Sequence, residues 1–415
     1  MDRANFTYVP ASARLADEPF EIVERKGYGH PDTLADALGE HLSHIYSAYT
    51  REHFGAVLHH QFDKTGILGG RVQVSFGGGQ MLAPVRVLLS GRASSSFAGE
   101  PIPVREMLTD ATRAFFAHRF PMLDPTRDLR LLYEVSQGDS PGGIGTKDAS
   151  ANVRSRWFAP QGLEDLPELT KLACNDTSSG CAFSPPTPTE QLVLDVEDVL
   201  AGPVRPAWLG SDIKVMAHRR GARVDLTCAV PQIAAHVPDL RTYVAHREAA
   251  RAALEQHAAE HYPGLEVRIW LNTRDDEQRP ELYLTHTGSS IETGDEGLVG
   301  RGNRYGGLIS AMRPFTMEGI SGKNPVYHTG KVYCVGADLI ARSIHDRLGH
   351  GAEVLLVGQS GRELTDPWAA VVRVEPSADG RPAPGVDEVA PLVDTALATL
   401  PDTVDGILDG AYRMH

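Results

Sequence analysis

At 415 residues, with 41% hydrophobic and 23% charged side chains, the chain has a globular composition and room for two or three domains. Its formal net charge of −14 disfavours nucleic acid, whose phosphates need a basic face, and no apolar run approaches the roughly 18–20 residues that span a bilayer. The start, MDRANFTYVPASARLADEP, lacks the basic–apolar–small order of a signal peptide, and Cys174, Cys181, Cys228 and Cys334 form no C-x-x-C pair, so no disulfide framework or zinc site is indicated and a cytoplasmic location is expected.

Residues 20–26 alternate as a short strand and run into a glycine-flanked turn, Gly29-His30-Pro31-Asp32. The next segment sets Leu34, Leu38, Leu42, Ile45 and Tyr49 on one helical face, with Asp32 expected as the N-cap. His30 and Asp32 thereby stand at a helix N-terminus, an end that favours anions. Residues 57–76 and 82–93 read as glycine-interrupted strands, 103–118 as a helix, and 130–150 as a strand followed by a Gly/Ser loop. Weak patterning persists to 186. A helix opens near Thr189 and stops at Gly202, 211–230 reads as a hairpin turning at Arg220-Gly221, and 239–261 is the clearest helix. Strands follow at 265–272 and 281–286. Beyond residue 331, 332–349 reads as a helix, 353–359 and 369–375 as strands, and 387–399 as a last helix. Strands fall mostly in hairpin-like pairs, which favours α+β sheets over a doubly wound parallel sheet. No G-x-G-x-x-G follows a strand, and neither a P-loop nor a serine nucleophile elbow is present.

Between 281–286 and 332–349 lies the stretch that resists such reading. From Thr293 to Lys331 there are nine glycines, two prolines and no sustained apolar period. It nevertheless carries Arg301, Arg304, Arg313, Lys323 and Lys331 against Asp295, Glu296 and Glu318. Glycines allow close backbone approach to a ligand, and cations fixed among them suit a phosphorylated one. Of the 40 basic residues only seven are lysine, namely Lys26, Lys64, Lys147, Lys171, Lys214, Lys323 and Lys331. Five of the seven stand beside glycine-rich or His/Asp-rich clusters, where a compact, rotatable point charge is not replaceable by a planar guanidinium.

Seven clusters, in order over roughly residues 20–350, together resemble the S-adenosylmethionine synthetase (methionine adenosyltransferase) family in its archaeal-type branch. They are ERKGYGHPDT (24–33), LHHQFDKTGILGG (58–70), FGGGQ (76–80), NDTSSG (175–180), SDIKVM (211–216), TGSSIETGDEGLVGRGNR (287–304) and GKNPVYHTGKVY (322–333). The resemblance implies an α+β fold of three α+β subdomains around a pseudo-threefold axis, at approximately 1–130, 131–285 and 286–415, with discontinuous subdomains allowed. It also implies a homodimer with active sites between subunits, and a reaction in which ATP and L-methionine give S-adenosylmethionine and tripolyphosphate, the latter cleaved to diphosphate and phosphate. Mg²⁺ is the implied cofactor, with K⁺ as a helper; neither nucleic acid nor membrane is an expected partner.

By motif position, His30 resembles the histidine beside the triphosphate that assists C5′–O cleavage, and Asp32 the Mg²⁺-ligand aspartate. Lys214 resembles a phosphate-contacting lysine, Lys323 the polyphosphate lysine, Arg301 the phosphate-side arginine and Asp295 the aspartate near methionine. His60 falls where the bacterial branch has a glutamate near the methionine amino group, and Lys64, Asp176 and Lys331 are further polyphosphate candidates. Read singly, each also has an ordinary structural role, such as a loop ion pair for Asp295 and Arg301. Departures from the branch pattern fall at 136–148, Ser211, Ile291, Thr293 and Gly306, nearer the amino-acid side than the phosphate side. Three outcomes therefore stay open: a methionine adenosyltransferase, an enzyme passing the adenosyl group to a methionine analogue or other nucleophile, and a non-catalytic ATP-binding relative.

Overall fold

A computed structural model describes residues 3–138 and 153–415. Lys147 and most of the departing stretch 136–148 lie outside the described residues. The helices are α1 (Pro31–Phe54), α2 (Val104–Arg119), α3 (Val153–Arg156), α4 (Pro188–Ala201), α5 (Leu240–His261), α6 (Thr329–Leu348), α7 (Val386–Ala398) and α8 (Thr403–Leu408). Most of these match the expected helices to within a few residues. Among the described residues, none is long and apolar enough to cross a membrane.

Three mixed sheets each bury one face against a pair of helices, an α+β architecture. In the first, Val85–Ala93 is central, flanked by Leu129–Ser136 in parallel and Gly66–Leu68 antiparallel, with Gly297–Leu298 beyond. Its inward Val85, Val87 and Leu89 alternate with outward residues and pack on Leu34, Leu38 and Leu42 of α1 and Leu108 and Phe116 of α2. The second runs Glu266–Leu271, Arg223–Ala229, Lys214–Arg220, Phe20–Lys26, Ile309–Ser310 and is covered by α4 and α5, where Ala250, Leu254 and Ala258 recur every four residues. The third runs Phe6–Pro10, Ala369–Ser377, His350–Val357, Ser179–Ser184 under α6 and α7.

The units interleave along the chain. The second sheet takes strands from residues 20–26, 214–229, 266–271 and 309–310, so boundaries drawn at 130 and 285 cut across it.

Four local expectations are corrected. The strand Ser179–Ser184 lies in the stretch read as unpatterned. Gly180 runs so close under α6 that a Cβ there would stand 2.3 Å from the Cys334 nitrogen, so packing and not apolar alternation makes this strand. Phe6–Pro10 is an edge strand with little buried surface to mark it. The expected strand at 281–286 contracts to Leu284–Thr285. Finally, the N-cap of α1 is His30, not Asp32: Pro31, with φ preset and no N–H to satisfy, takes the first helical position, and His30 Nδ1 accepts from the Asp32 N–H at 3.2 Å.

Candidate active site

Asp32, Asp36 and Glu40 follow one another at four-residue spacing on α1, hence on one face of it, and all three are buried. Buried carboxylates need partners, and most of theirs come from the 291–331 stretch. Asp32 Oδ1 accepts from the Leu298 N–H at 3.1 Å, and its Oδ2 from Lys26 Nζ at 2.8 Å. Asp36 Oδ1 accepts from the Gly300 N–H at 2.8 Å. Glu40 Oε2 accepts from the Gly322 N–H at 2.9 Å, and Lys331 Nζ donates to both Glu40 oxygens at 2.7 Å. The long glycine-rich segment is therefore hung along α1. Its glycines are required where backbone meets helix: a Cβ on Gly297 would lie 1.9 Å from the Pro31 carbonyl oxygen, and one on Gly302 2.2 Å from Asp36 Oδ2.

At the N-terminal end of α1, Lys26 Nζ also donates to the Arg301 carbonyl at 2.8 Å. The Arg301 side chain is exposed and has no ion-pair partner among the described residues. Lys214 pairs in register with Lys26 across adjacent strands, and its Nζ lies 3.1 Å from Glu24. Asp212, buried beside them, accepts from the Ser290 N–H at 2.9 Å, while the Ser290 hydroxyl reaches both Asp212 and the exposed Asp295, the latter at 3.1 Å. Burial pushes the His30 imidazole below its usual range against the opposing pull of Asp212 and Asp32. The charges of Lys26 and Lys214 add to that lowering.

Farther along α1 a cleft of ≈ 630 Å³ opens, lined by Lys323, Lys64, Asp63, Glu318, hydroxyls of Thr177 and Ser178, and the backbone of Gly300. Asp63 sits between the two lysines, touching Lys64 and standing 3.6 Å from Lys323 Nζ, and Glu318 contacts Lys323 from the other side. Burial lowers the Lys323 ammonium, with the Asp63 charge opposing it. Asp176 is exposed nearby and close enough to act on Lys323 through its charge.

Two expected ligand residues have no surface to offer. Lys331 is 0% exposed: its three donors are consumed by Glu40 and by the Lys323 carbonyl at 2.8 Å, so it stands behind Lys323 and does not line the cleft. His60 is likewise 0% exposed, bonded to Ser43 Oγ at 2.7 Å and the Leu58 carbonyl at 2.9 Å and packed between Tyr46 and Phe62; burial drives its imidazole down to about 3. Conversely, Lys26, Asp36, Glu40, Asp63, Asp212 and Glu318 join the constellation without having been singled out as site residues. The four-residue spacing of Asp32, Asp36 and Glu40 beside an apolar helical face was the available signal. Of the departing positions, Ile291 is fully buried in the α1 core, so the change there alters packing.

Asp36 gives a pH prediction. Burial raises its carboxyl from 3.8 to about 7, and Oδ2 has no hydrogen-bond partner among the described residues. Between these values the folded state keeps a proton that the unfolded chain releases, so the group weakens folding progressively as pH rises through that interval up to about 7. Asp36→Asn removes this term. Urea midpoints from pH 5 to 8 should therefore show the variant gaining on the wild type as pH rises.

A profile of S-adenosylmethionine synthetase (AdoMet synthetase) matches residues 9–411. The chain is 39% identical over 367 residues to the S-adenosylmethionine synthase of Caldivirga maquilingensis, covering 86% of each chain. It is 35% identical over 416 residues to that of Haloarcula marismortui, covering 99% of each. Among solved structures, an unusual S-adenosylmethionine synthetase from Campylobacter jejuni shares the fold, with a TM-score of 0.54 at 14% identity over 94% of this chain and 89% of that one. With its α+β fold, its motifs in order and this match over nearly the whole length, the chain belongs to the S-adenosylmethionine synthetase family, in its archaeal-type branch.

Proposed function

We propose that the protein forms S-adenosylmethionine from ATP and L-methionine by displacement at the ribose C5′, and cleaves the departing tripolyphosphate to diphosphate and phosphate. The supporting observation is that one rigid helix carries His30 at its N-terminus, the Arg301 loop at Asp32 and Asp36, and the Lys323 loop at Glu40. The eight residues from Asp32 to Glu40 rise about 12 Å, so cations are spaced along an extended groove and not gathered at a point.

A thioether sulfur has no proton to lose, so the nucleophile needs no base. The barrier lies in the leaving group, which gains charge as the C5′–O bond breaks. Lys214, Arg301, Lys323 and the N-terminus of α1 meet that charge, and His30, at that N-terminus, assists bond cleavage. Lys64 lines the same polyphosphate cleft, and Asp176 stands outside its lining within charge range of Lys323. Lys331 acts at one remove by holding the Lys323 backbone, and His60 by packing beneath the segment that carries Asp63. Asp295 is assigned to the methionine side of the site, where the Ser290 hydroxyl donates to it at 3.1 Å.

Asp32 is the residue that would hold Mg²⁺. Among the described residues no group of three or more His, Cys, Asp or Glu could hold a metal alone. The Asp32 carboxylate already faces a cation, Lys26 Nζ at 2.8 Å, and would suit a hard ion that takes its other oxygens from phosphate and water. Bound there, the ion supplies further charge neutralisation to the polyphosphate. K⁺ is proposed as a second, activating cation without an assigned ligand, and a cytoplasmic location accompanies this reading.

A homodimer with sites at its interface is part of the proposal. Phe20, Ile22, Met216 and Trp270 are exposed on the second sheet, and Lys214, two residues from Met216, points to that same open face. A second copy packed there would bury this apolar surface and close over Lys214.

The test is product analysis by mass spectrometry after incubation with ATP, Mg²⁺, K⁺ and methionine. S-adenosylmethionine with diphosphate and phosphate is expected, and His30→Ala should abolish it. ATP consumption without S-adenosylmethionine would reassign the acceptor. No ATP consumption would overturn the catalytic reading.

A further inference from the structure

The cleft beneath Lys323 is built to bind an anion, yet it is electrically balanced. Lys64 and Lys323 line it together with Asp63 and Glu318, two charges of each sign. Asp176 adds a further negative charge within range of Lys323. A polyanion entering this arrangement meets no net attraction until one carboxylate leaves. The two carboxylates differ in freedom. Asp63 follows Phe62, whose N–H is tied to the Gly322 carbonyl at 2.7 Å, so it is fixed to the Lys323 loop itself. Glu318 belongs to a segment that, between its two ends, is held at its backbone by two side-chain bonds, from Cys181 Sγ to the Pro314 carbonyl at 3.3 Å and from Arg304 to the Thr316 carbonyl at 3.4 Å. Arg313 is locked between Glu190 and Glu353 at one end, and Gly319 packs against Gly300 at the other. Between them Phe315 is 57% and Met317 83% exposed, without apolar packing to keep the segment in place. The Glu318 carboxylate is held by Ser178 Oγ at 2.6 Å and by Lys323.

We propose that Glu318 is an internal competitor for Lys323, occupying in the free protein the position that a phosphate oxygen takes in the complex and returning to it as polyphosphate leaves. The inference rests on the polyphosphate reading of the cleft. It adds a residue that sets polyphosphate affinity by opposing it.

The test is a double-mutant cycle read by calorimetric titration of inorganic tripolyphosphate, without divalent cation, into wild type, Glu318→Gln, Lys323→Ala and the double variant. Circular dichroism of each protein controls for folding, and glutamine keeps the shape and the Ser178 bond. Glu318→Gln should bind tripolyphosphate about tenfold more tightly than wild type. That gain should vanish in the Lys323→Ala background, because the competition is for that ammonium. Equal or weaker binding by Glu318→Gln overturns the inference, as does a gain of the same size without Lys323, which would mark general charge repulsion. Absence of binding by all four proteins would overturn the polyphosphate reading and this inference with it. Binding by wild type with no gain in Glu318→Gln overturns the inference alone.

Discussion

Lys323→Ala should lower kcat by about 10²–10³-fold, the cost of removing one preorganised charge from the atoms that become anionic in the transition state. The ammonium sits in a polar cleft with little access to water, where its interaction with a developing charge is stronger than in solution. It also stands among partners that do not depend on it. After truncation Asp63 keeps Lys64 and Glu318 keeps Ser178, so no carboxylate is stranded and the thermal midpoint should hardly move. Steady-state kinetics with both substrates saturating, alongside calorimetric melting, separate the two effects. A rise in KM at unchanged kcat would instead show that Lys323 binds ground state and transition state alike.

Lys331→Met should do the reverse, with its main effect on stability, about 3–5 kcal/mol, read as a fall in the urea midpoint. Burial pushes the Glu40 carboxyl up, but the Lys331 charge and its hydrogen bonds outweigh that and hold it below its usual range. Removing the ammonium leaves a buried, uncompensated charge. Glu40→Gln combined with Lys331→Met should recover much of the loss, because the pair has been removed as a whole. Activity should also decline in the single variant, since Glu40 fixes the Gly322 amide and Lys331 the Lys323 carbonyl. Two lysines eight residues apart in one motif thus have opposite signatures, chemistry without stability for Lys323 and stability first for Lys331.

That difference could not be read from the chain alone. Both are lysines beside glycines, and composition treats them alike; what separates them is that Lys323 lines the cleft while the Lys331 ammonium is spent on Glu40 and the Lys323 carbonyl, and that is a property of the whole fold. His60 makes the same point. Its neighbourhood in LHHQFDKTG looks like a site, but the side chain faces Ser43, Tyr46 and Phe62 inside the first core. The missed strand at Ser179–Ser184 failed for a related reason, because small residues that let a helix backbone approach carry no hydrophobic period.

Local chemistry was legible. The 3.6-residue period of α1, α4, α5 and α6, the alternation of Val85–Ala93 and the hairpin at 214–229 follow from side-chain direction, which is a short-range matter. The order of the lysine- and glycine-bearing motifs was legible too, and with it the family. What tertiary structure decided was pairing. Asp32, Asp36 and Glu40 lie 266, 264 and 282 residues from the amides they hold, and nothing local encodes which loop a helix will meet at such separations. Side-chain order along the chain was enough for most helices, the patterned strands and the kinds of charge available. The fold determined which charges face a ligand, which face each other, and which are spent holding the loop against α1, because desolvation acts on a residue's three-dimensional surroundings and not on its neighbours in the chain.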